Sequence, residues 1–321
     1  MPPGEVSSRR YGGGNDDPLG NVKMTTLGQI RGPLLVFLGA LCFSMSGFLQ
    51  AVAPEGATPF VVACARMLIG AGALFAYNLM RGKALGFRNW PWKSVWVYAV
   101  ALWLFQITFF YSVLKVGVAV GTVVSIGATP IFAGLITWLL QGARPPRAWY
   151  PATLVAALGL VLINAVDGVG FQWYDLLLPL FAGACYAVQI CVSKPLTEHH
   201  TAEESMMLIT AMAGIGLLPL AVFQPLGWIV SLQGAAVVLG LGVVTAACAM
   251  SLMVAGIKTT PAPVASTLAL GEPMGAALLG IIVLGELYTW QTLLGIACIF
   301  ASIVFLIVGE ARTAKRTSSQ A

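Results

Sequence analysis

The sequence predicts an all-α polytopic membrane protein with ten transmembrane helices arranged as two inverted five-helix repeats. Composition, the number of long apolar runs and an internal sequence match support this prediction. Of the 321 residues, 58% are hydrophobic and only 9% are charged, and the mean hydropathy is +0.87. Soluble domains carry charge on roughly a quarter of their residues. The composition therefore excludes a soluble fold and makes the lipid bilayer the environment of the chain.

Ten apolar segments are long enough to cross a bilayer, which takes about 20 helical residues. They are predicted at residues 33–53, 57–80, 93–113, 118–140, 148–166, 174–194, 205–224, 233–257, 263–285 and 290–309. The polar stretch 1–32, which contains RRYGGGNDDPLG, predicts a disordered cytoplasmic tail, and residues 311–321 a second cytoplasmic tail. The remaining loops are too short for a sizeable domain outside the membrane.

Lysine and arginine are distributed unevenly between the predicted loops. With both termini in the cytoplasm, fifteen of the seventeen lie on the cytoplasmic side, Lys115 lies outside and Arg66 lies within a span. Positive charge accumulates in cytoplasmic loops, so we expect both termini in the cytoplasm. The net charge of +5 is spread over short loops without interleaved aromatic residues, and therefore does not indicate a nucleic-acid partner.

The chain matches itself at an offset of 143 residues. The matched pairs are Cys42 with Cys185, Phe43 with Tyr186, Lys115 with Lys258, Pro130 with Pro273 and Gly142 with Gly285. This match predicts a first repeat at 33–168 and a second at 174–310. Because each repeat has an odd number of spans, the second is inverted in the membrane. Inverted repeats place two related gates around a central site, which favours alternating access.

Two segments carry a family resemblance. PFVVACAR, from Pro59 to Arg66, and LGEPMGAALLGIIVLGE, from Leu270 to Glu286, resemble the drug/metabolite transporter superfamily, EamA type. With the ten spans and the duplication, the resemblance covers nearly the whole chain after the first tail. It departs from the family where Ala143 stands in place of a glutamate that the second repeat has as Glu286. The resemblance implies a bacterial inner-membrane transporter, and the aromatic-rich third span is similar to that of aromatic amino-acid exporters of the YddG type.

Two charged residues are predicted near the middle of the membrane. Arg66 lies about nine residues from the outer end of its span and Glu272 about nine from the inner end of its own, which places both roughly 13 Å deep. An unpaired charge there costs about 2.5 to 3.5 kcal/mol. Either the two form a structural ion pair, or Arg66 docks a carboxylate or gates the path while Glu272 binds an ammonium group or carries a proton.

The third span, KSVWVYAVALWLFQITFFYSVLK, places Trp103 and Phe110 seven residues apart, with Gln106 on the same helix face. An amide beside an indole in mid-span favours a site for a flat amphiphilic ligand, with core packing as the alternative. Polar residues in other spans either complete this site or hold helices together. The predicted substrate-binding residues are Gln50, Trp103, Gln106, Phe110, Tyr186 and Gln189.

Two prolines occupy equivalent positions in the repeats. Pro130 and Pro273 each remove one helical hydrogen bond and free a carbonyl group. They are predicted either as hinges or cavity-lining breaks, or as simple kinks.

The sequence contains none of the common catalytic or nucleotide-binding motifs. It contains no HExxH, GxSxG, P-loop or dinucleotide fingerprint, and its two histidines, His199 and His200, fall in a predicted inner loop. All six cysteines lie in apolar stretches without a CxxC pair. We therefore expect no enzyme activity, no cofactor and no metal site.

The sequence thus predicts a secondary transporter that exports amino acids, aromatic or bulky and apolar, through a central cavity. One alternative is a transporter of the same fold for drugs, cations or other small metabolites, and a less favoured one is a membrane enzyme or receptor. The expected partners are an amino-acid substrate and the lipid bilayer, and both a monomer and a homodimer are compatible with the sequence.

Overall fold

The computed structural model describes residues 18–83, 89–163, 172–283, 285 and 289–318, and in these residues helices are joined by short turns without any β-strand. The helices are α1 (Pro18–Ala51), α2 (Pro59–Met80), α3 (Trp92–Val113), α4 (Val120–Leu140), α5 (Trp149–Ile163), α6 (Leu177–Val192), α7 (Ala202–Ala221), α8 (Leu232–Ile257), α9 (Ala262–Val283) and α10 (Trp290–Ser318). Within the described part of the chain, nine of them lie in apolar helical stretches of 20 to 26 residues, sufficient to span a bilayer. For α6 this stretch is Tyr174–Thr197, because a 3-10 turn extends the helix at each end. The tenth, α5, is apolar but shorter, and the described residues stop at its end.

Both terminal helices extend into the predicted tails. Helix α1 begins at Pro18, so residues 18–32 are helical rather than disordered, while residues 1–17 lie outside the described range. Proline suits a first helical turn because that turn needs no N–H donor. Helix α10 continues to Ser318 through EARTAKRTS, which has neither glycine nor proline to stop a helix. The last three residues, 319–321, lie outside the described range.

Helices α3 and α4 form one helical run that is broken at a single glycine. Gly117 has φ 83° and ψ 163°, a backbone conformation that is essentially restricted to glycine. The run then continues and ends at Gly142, whose left-handed φ of 64° is typical of a helix C-terminus. The predicted boundary between the third and fourth spans is therefore a local break rather than a loop.

Contacts between helices reproduce the predicted duplication. Helix α1 packs against α8 and α9, and its counterpart α6 packs against α3 and α4, the counterparts of α8 and α9. The equivalent helices α2 and α7 pack against each other, as do α5 and α10. An exchange of the two halves thus leaves the pattern of contacts unchanged. This is the arrangement expected of two inverted repeats related by a pseudo-two-fold axis, and it confirms the predicted fold class.

Glycines allow the equivalent helices of the two repeats, α2 with α7 and α5 with α10, to approach closely. A Cβ atom on Gly214 of α7 would lie 2.7 Å from the Leu68 side chain of α2, and Cys64 donates a hydrogen bond to the Gly214 carbonyl at 3.4 Å. A Cβ atom on Gly159 of α5 would lie 2.7 Å from the carbonyl oxygen of Gly295 in α10. Membrane helices associate through such small residues because lipid gives no hydrophobic driving force. Larger side chains at these positions would separate the two halves.

The two predicted hinge prolines have different surroundings. Helix α9 is interrupted at Ala269 and Leu270. Pro273 has no N–H to donate to the Ala269 carbonyl, and this carbonyl accepts the Glu272 N–H at 3.0 Å instead. Helix α4 remains helical across Pro130. A break in the chain thus accompanies only one of the two prolines.

Helix α8 also departs from regular α-helix geometry. It is π-helical over Leu241–Ala249, where it packs on α2. In this contact a Cβ atom on Gly70 would lie 2.6 Å from the Cβ of Ala246. The wider turn lets these two small residues meet. Such π segments are common near functional sites.

The predicted orientation can be tested with two exposed loop residues. Glu55 follows α1 and Ala143 follows α4, so the sequence places Glu55 outside and Ala143 inside. We expect Glu55→Cys to react with a membrane-impermeant maleimide in intact cells, and Ala143→Cys to react only after permeabilisation. Wild-type protein gives the background, because its cysteines all lie within helices. The reverse labelling pattern would contradict the proposed orientation.

Candidate functional site

A cavity of about 800 Å3 lies between the two halves of the molecule. Helices α1, α2, α3 and α4 of the first half and α6, α8 and α9 of the second contribute most of its wall. This volume falls in the range of known small-molecule sites, about 300 to 1,000 Å3. The cavity is therefore large enough for a ligand of amino-acid size and is built jointly by the two repeats.

The two ends of the cavity wall differ in exposure among the residues that the structure describes. At the end that carries the α1–α2 loop, its wall includes the partly exposed residues Gln50, Pro59 and Thr292. At the opposite end, the wall residues Ile190 and Ile257 are only 2% and 3% exposed. Among the described residues, the wall is thus more exposed at the α1–α2 end (the open end) than at the α6–α7 end (the closed end).

A polar network joins two loops at the closed end. Lys83, which follows α2, lies 3.3 Å from the Glu204 carboxylate and donates to the Thr201 hydroxyl at 3.4 Å. The ring of His200 stacks on Trp90, with centroids 3.8 Å apart. The α2–α3 and α6–α7 connections are therefore held together below the cavity. His200 lies in a loop, as predicted, and one face of its ring is covered by Trp90.

Helix α3 supplies the aromatic wall of the cavity. Its lining residues are Tyr98, Leu102, Phe105, Gln106, Phe109, Phe110 and Val113, spaced by three and four residues as one helix face requires. Phe105 stacks on Phe109 at 5.4 Å between ring centroids and contacts the ring of Tyr186 at 5.5 Å. Gln106 and Phe110 thus line the cavity, as the sequence predicted.

Trp103 does not line the cavity, and that prediction was wrong. Its indole N–H donates to the carbonyl of Gly216 in α7 at 2.8 Å. A Cβ atom on Gly216 would lie 3.2 Å from the indole, so the glycine makes room for this ring. Seven-residue spacing placed Trp103 with Phe110, but at 100° per residue both lie at one edge of the α3 face, where the longer indole reaches α7.

Arg66 lies in the wall and is 8% exposed. Its Nη2 donates to the Gln106 side-chain oxygen at 3.2 Å, and its Nε has no hydrogen-bond partner. Among the residues the structure describes, no carboxylate lies within 4.0 Å of this guanidinium, so the direct ion pair considered from the sequence is not present. Arg66 therefore lies in the cavity wall with one buried donor, Nε, that has no partner.

Glu272 faces the same cavity from the second half. It lies in the first turn after the α9 break. Helix α1 passes close to this part of α9, as a Cβ on Gly275 would lie only 2.7 Å from the Ser44 hydroxyl. Glu272 and Arg66 attract each other electrostatically without direct contact. Among the described residues of the wall, these are the one cation and the one anion.

The other predicted polar residues divide into two groups, although all line the cavity. Gln189 donates to the Ala101 carbonyl at 3.4 Å and Gln50 to the Ser46 carbonyl at 3.0 Å, so the backbone already occupies these amides. The Gln106 Nε2 and the Tyr186 hydroxyl have no partner. Gln106 and Tyr186 are therefore the two residues of this group with a buried polar atom that has no partner.

Pro273 lies in the cavity wall, whereas Pro130 is buried outside it. The sequence analysis also missed several lining residues that the internal repeat indicates. At the same offset of 143 residues, Phe43 is equivalent to Tyr186, Ser46 to Gln189 and Met253 to Phe110, and all six line the cavity. Transfer of Tyr186, Gln189 and Phe110 to their counterparts gives Phe43, Ser46 and Met253, whereas the counterparts of Gln50 and Gln106, Ser193 and Ala249, lie outside the wall.

Apolar helices in two related halves around a cavity with a polar centre define a polytopic membrane transporter. A family model described as the EamA-like transporter family matches the chain twice, over residues 30–165 and 172–308. The chain belongs to this family, and the two matched ranges lie close to the predicted repeats 33–168 and 174–310. Glu286, at the end of the motif in the second repeat, lies outside the described residues.

Two further comparisons agree with this assignment. The chain is 32% identical over 289 residues to "Uncharacterized transporter YwfM" of Bacillus subtilis (strain 168), which covers 90% of this chain and 97% of that protein. A solved crystal structure superimposes with a TM-score of 0.76 at 20% identity and covers 88% of this chain and 98% of the other. The first relative supports a transporter, and the second supports the fold.

The placement of Trp103 leads to a test of its role. We expect Trp103→Ala to destabilise the protein by about 0.6 to 2 kcal/mol, the range of hydrogen bonds between membrane helices, because it removes the contact with Gly216. The thermal unfolding midpoint in detergent measures this effect. Trp96→Ala is the matched control, since Trp96 is 58% exposed on the same helix. A changed substrate preference without loss of stability would return Trp103 to the binding site.

Proposed function

We propose that this protein is a secondary transporter that exports amino acids with aromatic or bulky apolar side chains across the inner membrane of a bacterial cell. The observation that carries the proposal is the cavity itself, whose wall contains Arg66 from one half, Glu272 from the other and an aromatic helix face. A zwitterion with an apolar side chain matches these three features. The charge separation of the free site suits a ligand that carries both charges.

The aromatic wall supports the choice of side chain. Phe105, Phe109 and Phe110 form a continuous set of rings on α3, and Tyr186 extends it onto α6. An aromatic pair adds about 0.5 to 1.5 kcal/mol beyond the area that it buries. Contacts of this size give weak, reversible binding with broad selectivity, as release on the other side of the membrane requires.

The alternatives fit the cavity less well. A cationic drug would meet the buried Arg66 charge as well as Glu272, and no other acid of the described wall compensates that repulsion. A phosphate-bearing metabolite carries at least two negative charges and would meet one cation and one anion. These ligands therefore serve as the contrasting substrates in the test.

The open and closed ends support alternating access. In the proposed orientation the open α1–α2 end faces the outside and the closed end, with Lys83 and Glu204, faces the cytoplasm. The structure then corresponds to the outward-open state of the cycle. Export requires the opposite state, in which the loop network at the cytoplasmic end separates and the outer ends of the helices approach.

The experiment is transport by purified protein in proteoliposomes. Labelled tryptophan, phenylalanine, leucine and alanine are compared with a cationic dye and a sugar phosphate, and protein-free liposomes give the background. We expect the rates to fall from the aromatic amino acids to alanine and the last two compounds to remain at background. Transport of the dye without any amino acid would replace this proposal with the drug-transporter alternative.

The aromatic wall gives a second, site-specific prediction. We expect Phe109→Ala to lower transport of phenylalanine about 2- to 12-fold relative to alanine, because one aromatic contact of about 0.5 to 1.5 kcal/mol is removed. Competition between the two substrates in one assay measures the ratio directly. Phe300→Ala is the control, since Phe300 is 54% exposed on α10 and outside the cavity wall. An equal loss for both substrates would exclude a contact between Phe109 and the substrate side chain.

A further inference from the structure

We infer that Arg66 and Gln106 form a carboxylate subsite, and that Gln106 determines the choice between amino acids and the corresponding amines. This inference rests on the proposed function and specifies how the site would distinguish its substrates. It assigns the carboxylate end of the substrate to the first half of the molecule and the ammonium end to Glu272 in the second.

The hydrogen bond between the two side chains sets the direction of the Gln106 amide. The Gln106 oxygen accepts from Arg66 Nη2 at 3.2 Å, so the amide nitrogen is on the side away from that guanidinium nitrogen. Gln106 Nε2 and Arg66 Nε are then both buried donors without a partner. The side-chain amide of glutamine has both donors and an acceptor, and here the acceptor oxygen is bonded to the Arg66 guanidinium. The remaining atoms of the pair only donate.

Two free donors beside a positive charge select a particular ligand group. Gln106 and Arg66 are 1% and 8% exposed, and a buried donor without an acceptor is unfavourable. A carboxylate has two acceptor oxygens and no donor, so it can satisfy both donors and neutralise the guanidinium. A dianion would exceed the single positive charge and meet Glu272 in the same cavity. The subsite therefore suits a monoanionic carboxylate.

The internal repeat does not duplicate this subsite. At the offset of 143 residues, Arg66 corresponds to Ile209 and Glu272 to Thr129. Both counterparts are fully buried outside the cavity wall, and Thr129 donates to the Ser125 carbonyl at 2.9 Å. A symmetric cavity would accept a substrate in two orientations. Here the positive Arg66 lies in the first repeat and the negative Glu272 in the second, so one orientation of the substrate is favoured.

Substitution of one atom in Gln106 should reverse the preference of the subsite. In Gln106→Glu the side chain keeps its shape, but its carboxylate pairs with Arg66 as the substrate carboxylate would. The subsite is then occupied and neutral, and the cavity retains Glu272 as an anion available to a ligand. An amine without a carboxylate becomes the better ligand of this variant.

The test uses three ligands of the same ring system: tryptophan, tryptamine, which lacks the carboxylate, and indole-3-propionate, which lacks the ammonium group. Their dissociation constants are measured by displacement of labelled tryptophan from purified protein, or by direct titration where tryptophan binds weakly. For wild type we expect tryptamine to bind at least about 10-fold more weakly than tryptophan, since it loses hydrogen bonds to a charged group. For Gln106→Glu we expect tryptophan to weaken at least about 10-fold and tryptamine to exceed it.

Gln224→Glu is the matched control, because it adds the same charge at a residue outside the cavity wall, where the Gln224 amide donates to the Leu220 carbonyl at 3.2 Å. Its ligand order should equal that of wild type. Equal affinities of wild type for tryptophan and tryptamine would overturn the subsite and leave the proposed function standing. Should wild type neither bind nor transport any amino acid, the proposed function and the subsite both fail. The wild-type comparison decides even if Gln106→Glu does not fold.

Discussion

The close contacts of α2 with α7 and of α5 with α10 hold the two halves together, and the other features of the molecule depend on them. Gly214 and Gly159 bring the helix backbones within van der Waals distance. Lipid tails are as apolar as the helix surfaces, so surface burial alone would not fix this arrangement. The two halves are in close contact at the α2–α7 pair and at the α5–α10 pair. Between these two contacts the remaining helices do not all touch one another. The central cavity is the space that remains.

The same contacts explain how a charge is kept at this depth. Arg66 lies on α2, the helix that touches both α7 and the π segment of α8, and would cost about 2.5 to 3.5 kcal/mol in hydrocarbon. It faces instead a cavity that opens at one end, and Gln106 accepts one of its donors. Arg66 and Gln106 therefore both face the protein interior and not the lipid. Packing of the helix backbones and placement of the charge are thus parts of one arrangement.

Composition and periodicity predicted most of the fold because the bilayer constrains both. Spans need a fixed length of apolar residues, and an odd repeat must be inverted, so ten helices in two halves followed directly from the sequence. The ends of α1 and α10 were missed because these polar segments have no apolar periodicity that would indicate a helix. A break beside Pro273 but not beside Pro130 was not predicted, because the two prolines give the same signal in the sequence.

The site was predicted only in part, for a similar reason. Gln106, Phe110, Tyr186, Arg66 and Glu272 line the cavity, since polar or aromatic groups in mid-span have few other places to lie. Trp103 satisfied the same criterion, yet its N–H found a backbone carbonyl in α7. Whether an indole faces ligand or protein is decided by a glycine, Gly216, that lies 113 residues away in the sequence.

The interruption of α9 makes the two halves mechanically unequal. Helix α4 passes Pro130 as a continuous rod, whereas α9 consists of two short segments joined at Ala269 and Leu270, directly before Glu272. A rod tilts as a whole, but a jointed helix can bend near the ligand while its far segment stays packed. The barriers to reorientation in the two directions then need not be equal. The inward- and outward-facing states then differ in energy, and the substrate concentration that half-saturates transport differs between the two sides of the membrane.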